Sequence, residues 1–184
     1  MSQSEHNTEH TAVAGARIVP LQAHHDHRGF VAEMFRSEWQ VGLDPVQWNV
    51  VESEPGVLRG VHVHPTHDDY LVLVRGRASI GLRDLRPGSP SENETAVLPL
   101  SGDDPMALLI PHGVAHGFYF HEQSVHMYCV SHYWDLDDEL SCHWQDPELG
   151  IDWPFEAATL SPRDQAAGSL AAMRSELVSR SSST

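Results

Sequence analysis

Eight consecutive residues, His62-Val63-His64-Pro65-Thr66-His67-Asp68-Asp69, carry three imidazoles and two carboxylates. Imidazole nitrogens and carboxylate oxygens either move protons near neutral pH or hold a divalent transition metal. Side chains alternate along an extended strand, so His62 and His64 point the same way. Pro65 to Asp68 reads as a polar turn, after which Asp69 opens the apolar run Tyr70-Leu71-Val72-Leu73-Val74. The expectation is two imidazoles and a carboxylate on neighbouring strands of one hairpin. A further imidazole, His116, follows Pro111-His112-Gly113-Val114-Ala115. A lone histidine more often serves structure than chemistry. Four ligand-type residues at these offsets outline a divalent-metal site on His62, His64, Asp69 and His116, with a hydrogen-bonded polar interior as the plain alternative.

Short apolar runs must position these groups. Strands are expected over 16–20, 28–35, 46–53, 56–64, 69–75, 77–85, 93–99, 105–110, 115–120 and 125–131. The breaks between them include Glu54-Pro55-Gly56, Arg75-Gly76, Pro87-Gly88 and Pro111-His112-Gly113. Many short strands at close spacing predict a mainly β chain folded as an antiparallel barrel or sandwich. Residues 1–15 are polar and read as a disordered tail, leaving 16–180 as a single domain. The acidic stretch 135–152, interspersed with Leu140, Trp144 and Leu149, reads as a partly ordered covering loop. A C-terminal helix is expected from Ser161, which can cap it, with Pro162 in the first turn and Leu170, Met173 and Leu177 on one face.

Bulk composition removes several classes. The 184 residues carry a net charge of −15, and all eleven basic residues are arginine. Such a chain is ill suited to nucleic acid, which needs clustered positive charge. No run approaches the roughly 18 apolar residues of a membrane span. Two cysteines, Cys129 and Cys142, demand no disulfide, and a cytoplasmic location is expected. An anionic ligand would have to be held by a few placed arginines, with Arg28 and Arg59 the candidates.

Gly56, His62, His64, Asp69 and Gly76 are similar to the first cupin motif, with Asp where Glu is usual, and Pro111 to His116 resembles the core of the second. A narrower resemblance runs over about 140 residues, Asp26 to Asp164. It is carried by Asp26-x-Arg28-Gly29-Phe30-x-x-Glu33, Gln47-x-Asn49, Gly56-Val57-Leu58-Arg59-Gly60-x-His62 and Asp84-Leu85-Arg86-x-Gly88-Ser89-Pro90. It continues through Ile110 to Phe118, Tyr128, Tyr133-Trp134, Gly150-Ile151-Asp152-Trp153-Pro154 and Leu160-Ser161-x-Arg163-Asp164. On these motifs the chain resembles the dTDP-4-dehydrorhamnose 3,5-epimerase family of sugar-nucleotide cupins.

That resemblance implies a cupin or jelly-roll antiparallel β-barrel with a C-terminal α-helix. It also implies epimerase or isomerase action on a dTDP-4-keto-6-deoxy sugar in deoxysugar biosynthesis, without a cofactor. His62 would remove a proton beside the keto group, Asp164 would orient its ring, and Tyr128 would return a proton to the opposite face. Arg28, Gln47, Asn49, Arg59 and His116 would hold diphosphate and sugar, while Phe30, Glu33 and Trp134 would frame the nucleoside. In the family, residues such as Phe30 and Glu33 complete the neighbouring subunit's site, implying a homodimer.

The chain departs from the family at Asp69 and in the loop before it, which is shorter than usual and carries His64 and His67 where the family has no metal-ligand pair. Asp69 stands where the family usually carries a lysine that stabilises the enolate oxygen, and this sequence has no lysine. A carboxylate opposes negative charge developing beside it. Three readings follow. Epimerisation persists with Arg83, His116 or another donor at the enolate; a divalent metal on His62, His64, Asp69 and His116 acts as Lewis acid for isomerase, lyase or oxygenase chemistry; or the barrel binds a sugar nucleotide or related metabolite without turnover.

Overall fold

A computed structural model describes residues 8–135 and 138–181. Thirteen strands are named in order: β1 (Glu9–His10), β2 (Arg17–Pro20), β3 (Ala23–Asp26), β4 (Gly29–Ala32), β5 (Gln47–Ser53), β6 (Leu58–Val63) and β7 (Asp69–Arg75). Then come β8 (Arg77–Asp84), β9 (Thr95–Ser101), β10 (Met106–Ile110), β11 (Val114–Phe120), β12 (Ser124–Val130) and β13 (Leu140–Ser141). Two helices, α1 (Pro162–Gln165) and α2 (Leu170–Ser181), end the chain.

The strands form two antiparallel sheets in the orders β1-β2-β10-β7-β12-β5 and β13-β6-β11-β8-β9, with β3 and β4 as a separate two-stranded ribbon. From β5 onward consecutive strands alternate between sheets except for the β8–β9 hairpin, as in a jelly roll. Alternation along each strand builds three apolar layers. Leu71 and Leu73 of β7 meet Ile80, Leu82 and Phe120 of the other sheet in the layer between them. Tyr70 and Val72, pointing the other way, pack beneath the 34–43 segment with Leu109 and Cys129. Val61, Val63 and Ala115 turn outward on the five-stranded sheet, where Leu140, Leu149, Leu170, Met173 and Leu177 cover them.

Four expectations are corrected. The expected tail packs over its described part: β1 pairs with β2, Val13 is fully buried, and the Ala14 carbonyl accepts from Arg86. One anchoring valine among polar neighbours leaves no periodic signal. Residues 1–7 lie outside the described ones. The expected strand 28–35 shrinks to β4, because its exposed ribbon with β3 has no sheet to join. The C-terminal helix is broken after Gln165 so that Gly168 can bridge to Cys142. Finally, β6 and β7 are not a hairpin, since the 64–68 connection crosses from one sheet to the other.

A buried carboxylate ties the first turn to the barrel. Asp84, at the end of β8, accepts from Arg86 Nε at 2.9 Å, Arg86 Nη2 at 2.7 Å, and Ser89 and Ser91 Oγ at 2.6 Å each. Burial opposes its charge, but the Arg86 guanidinium and the two hydroxyls hold its carboxyl well below the ordinary range. Ser91 also accepts from the Ala14 amide, and Arg86 also reaches Ala14. Asp84→Asn should therefore destabilise the fold by on the order of 3 kcal/mol in urea unfolding at neutral pH. A loss below about 0.5 kcal/mol would show that the network carries little.

Candidate active site

A cavity of about 470 Å³ opens between the sheets, lined by Arg59, His62, His64, His67, Asp69, His116, Tyr128, Trp134, Glu139 and Asp164 among others. His62 enters it from β6. The aim is set by Gly60, whose φ of +117° belongs to glycine, and where a Cβ would stand 2.8 Å from the His116 carbonyl. Beside it, the β6–β11 register shifts between His116 and Gly117, leaving His116 opposite His62. Both imidazoles thus point into the cavity from the five-stranded sheet.

Both His62 nitrogens meet carboxylates. Nε2 lies 2.6 Å from Asp164 Oδ1 and Nδ1 lies 2.7 Å from Glu139 Oε1. Asp164 is placed by the start of α1. Ser161 caps that helix by accepting from the Asp164 amide at 3.1 Å, and its hydroxyl donates to Asp164 Oδ2 at 2.9 Å. One serine therefore starts the helix and orients the carboxylate. Glu139 directly precedes β13, which pairs Ser141 with His62 and so holds the chain against β6. Arg163 Nη1 donates to Glu139 Oε2 at 2.9 Å and Trp134 Nε1 to the same oxygen at 3.2 Å.

Electrostatics follow from this clamp. Burial disfavours charge on His62, but Asp164 and Glu139 outweigh it and raise the ring to about 9. His62 is an imidazolium at neutral pH while both carboxylates hold it. Glu139 is held far below the usual carboxylate range: burial raises it, but His62 and Arg163 dominate. Tyr128 stands on β12 of the facing sheet, level with Asn49 and Leu71. Burial and the nearby charges of Asp69 and Glu139 push its phenol up, so it keeps its proton.

A second cluster lies deeper. Asp69, the first residue of β7, projects from the six-stranded sheet into an arc of three imidazoles. His64, His116 and His67 place Nε2 at 3.6, 3.8 and 4.0 Å from its carboxylate. His62 is not among them, because both its nitrogens are taken. The four residues read together from sequence, His62, His64, Asp69 and His116, therefore do not gather around Asp69; the rings that do are His64, His67 and His116. Crossing between sheets turns the 64–68 connection inward and brings His67 with it. Burial lowers His64 well below the ordinary value and His116 to about 4, and raises Asp69 well above its own.

The structure thus brings Arg59, His62, His116, Tyr128, Trp134 and Asp164 around one cavity. Arg59 is braced by Ser53 Oγ at 2.9 Å and the Glu52 carbonyl at 3.1 Å. Gln47 and Asn49 share the inward face of β5 with the cavity-lining Val51 but bond to each other at 2.9 Å, and Gln47 also accepts from the Trp134 amide. Arg28, Phe30 and Glu33 stand away from this cavity: Arg28 pairs with Asp26, Glu33 pairs with Arg36, and Phe30 is exposed. Arg83, weighed as an enolate donor, instead bonds the Leu149 carbonyl at 2.8 Å outside the cavity. Sequence reasoning missed Glu139, which sits among acids of the same stretch with no local mark except the apolar Leu140 that follows.

Fold and site together define a cupin-like jelly roll with paired acid–base groups on facing walls. Comparison with known proteins narrows the class. The family model for dTDP-4-dehydrorhamnose 3,5-epimerase matches residues 10–172. The chain is 34% identical to the spore coat polysaccharide biosynthesis protein SpsL of Bacillus subtilis over 148 residues, 78% of this chain and 98% of that protein. It is 32% identical to a dTDP-4-dehydro-6-deoxyglucose 3-epimerase of a Streptomyces species, over 87% of each chain. A solved dTDP-6-deoxy-D-glucose-3,5-epimerase of Legionella pneumophila, in complex with dTDP-4-keto-L-rhamnose, superposes with a TM-score of 0.86 at 34% identity, covering 93% of this chain and 96% of that one. The chain belongs to the dTDP-4-dehydrorhamnose 3,5-epimerase family, and it is an epimerase of the isomerase class.

The clamp on His62 has a pH consequence. A raised imidazole pKa means the basic form appears only as pH climbs through it, so the acid limb of kcat/KM should fall near pH 9. Glu139→Gln removes one of the two anions and should move that limb down by roughly one to three pH units. An unmoved limb in the pH–rate profile would show that Glu139 does not set the proton affinity of His62.

Proposed function

We propose that this chain epimerises a dTDP-4-keto-6-deoxy sugar, with His62 as base, Asp164 as its orienting partner and Tyr128 as acid. The observation that carries the reading is geometric: the His62–Asp164 pair projects from one sheet and a protonated Tyr128 from the other, across a single cavity. Inverting a stereocentre needs an acceptor on one face of the carbon and a donor on the other. The reactive form is the one in which His62 has given its Nδ1 proton to solvent while Nε2–H stays on Asp164, and Glu139 stands aside so that the substrate reaches the neutral Nδ1. That nitrogen takes the proton from the carbon beside the keto group, and the C–H electron pair passes to the keto oxygen. Tyr128 then delivers its proton to the opposite face of the same carbon. Nothing is oxidised or reduced, so no redox cofactor enters the chemistry.

Arg59, at the mouth of the cavity, binds diphosphate, and Trp134, half-exposed beside Gln47 and Asn49, offers an aromatic plate to the base. Arg28, Phe30 and Glu33 complete the site of a second copy in a homodimer. Phe30, Val31, Trp48 and Val50 are exposed on the β3–β4 ribbon and the β5 edge, as an interface between copies would need. The buried thiols of Cys129 and Cys142 suit a reducing compartment, which favours the cytoplasm.

Reaction in deuterium oxide separates the roles. The wild type should incorporate solvent deuterium beside the keto carbon and give inverted product. His62→Asn should lose both by roughly 10²–10⁴-fold. Tyr128→Phe should keep exchange while losing inversion. Absence of exchange with every dTDP-4-keto-6-deoxy sugar offered would overturn the epimerase reading. Trp48→Asp with Val50→Asp should convert the dimer to monomer by sedimentation, and an unchanged mass would reject that interface.

A further inference from the structure

We infer that His64, His67, His116 and Asp69 form a binding site for one divalent transition metal, of which Zn²⁺ fits the donor set best. The three Nε2 atoms stand 3.6–4.0 Å from the Asp69 carboxylate. Those separations are too long for hydrogen bonds. Four ligands each 2.0–2.2 Å from one ion in a tetrahedron stand about 3.4 Å apart, so His64, His67 and Asp69 must draw together and His116 must swing toward them to complete the four. Among the described residues, His64, His67 and Asp69 already bring one ligand atom each within 4.8 Å of one another.

Two of the three rings carry the outer contacts that metal-binding histidines use, while His64 Nδ1 is buried without a hydrogen-bond partner. His67 Nδ1 lies 3.2 Å from Asp138 Oδ2, and His116 Nδ1 lies 3.0 Å from the Val114 carbonyl. Each oxygen takes the ring's N–H and turns the Nε2 lone pair toward Asp69. His67 Nε2 is buried without a hydrogen-bond partner, although an imidazole lone pair aimed at a carboxylate gains nothing by itself. No arginine pairs with Asp69 among the described residues, and the sequence holds no lysine. A buried carboxylate facing three neutral rings is costly alone and is satisfied by a cation.

This ligand set also removes a conflict. With His62 engaged by Asp164 and Glu139, the proton-abstracting ring and the ion need not share an atom. Both groups line the same cavity as Tyr128. The ion would supply positive charge beside Asp69 to oppose negative charge growing on the keto oxygen. This role rests on the epimerase reading; the binding of the ion does not.

Untagged full-length protein should be purified, its metal measured by mass spectrometry, and the stripped protein titrated with Co²⁺ while visible ligand-field bands are recorded. One ion per chain is expected, with tetrahedral-type bands. Asp69→Asn and His67→Ala should abolish the bands, Asp138→Asn should weaken binding about 10–100-fold, and His62→Asn should leave binding unchanged. Near-UV circular dichroism checks that each variant is folded. No bands in folded wild-type protein would overturn the site, and so would bands that survive in folded Asp69→Asn. If metal binds but stripped protein keeps its full deuterium exchange, the role at the keto oxygen is overturned. If metal binds and neither loaded nor stripped protein exchanges, it is the epimerase reading that fails.

Discussion

The imidazole of His62 is held by two carboxylates that approach from opposite ends of its ring, and the architecture of the mouth follows from satisfying that arrangement. Asp164 reaches Nε2 because a four-residue helix starts at Ser161, and Glu139 reaches Nδ1 because β13 docks on the edge of β6. Arg163, one residue before Asp164, returns to Glu139 and closes the loop. A charge pair this buried is costly unless every remaining lone pair is met, and here Ser161, Arg163, Trp134 and the Gly60 amide meet them. The C-terminal segment is thus part of the site rather than a cover for it.

The same cavity sorts its titratable groups by depth. Near the mouth, opposite charges stand within hydrogen-bond reach, and His62 is driven toward its charged form. Deeper in, Asp69 and three imidazoles lack strong partners, and burial drives each toward its neutral form. Two histidines two residues apart, His62 and His64, therefore behave in opposite ways on adjacent positions of one inward face. Their difference lies in what the other sheet and the C-terminal segment bring to each.

Much of the fold was legible. Strands β5 to β12 follow from apolar runs bounded by Gly, Pro and Asp, and β7 was read at its observed ends, because burial on both faces made it continuously apolar. What escaped was whatever depended on one residue or on remote pairing. Val13 buries itself alone, β3 and β13 are too short to show a period, and the break between α1 and α2 answers Cys142, 26 residues before Gly168. In the site, histidine spacing pointed to the right strand but not to His67, which stands beside Asp69 where His62 was expected, since strand alternation says nothing about a turn that changes sheets.

Local sequence determined which side chains could do chemistry here and how neighbours share a face: His62 and His64 on one side of a strand, Ser161 and Pro162 starting a helix with Asp164 in its first turn. Those are consequences of backbone periodicity and capping, which act over a few residues. Tertiary structure alone decided the partners. It set Glu139 on His62, put Tyr128 on the facing wall, carried Arg83 out of the cavity and exchanged His62 for His67 around Asp69. The physical reason is that proton affinity and ligand geometry depend on charges within a few ångströms. In a two-sheet barrel those charges arrive from residues up to a hundred positions away.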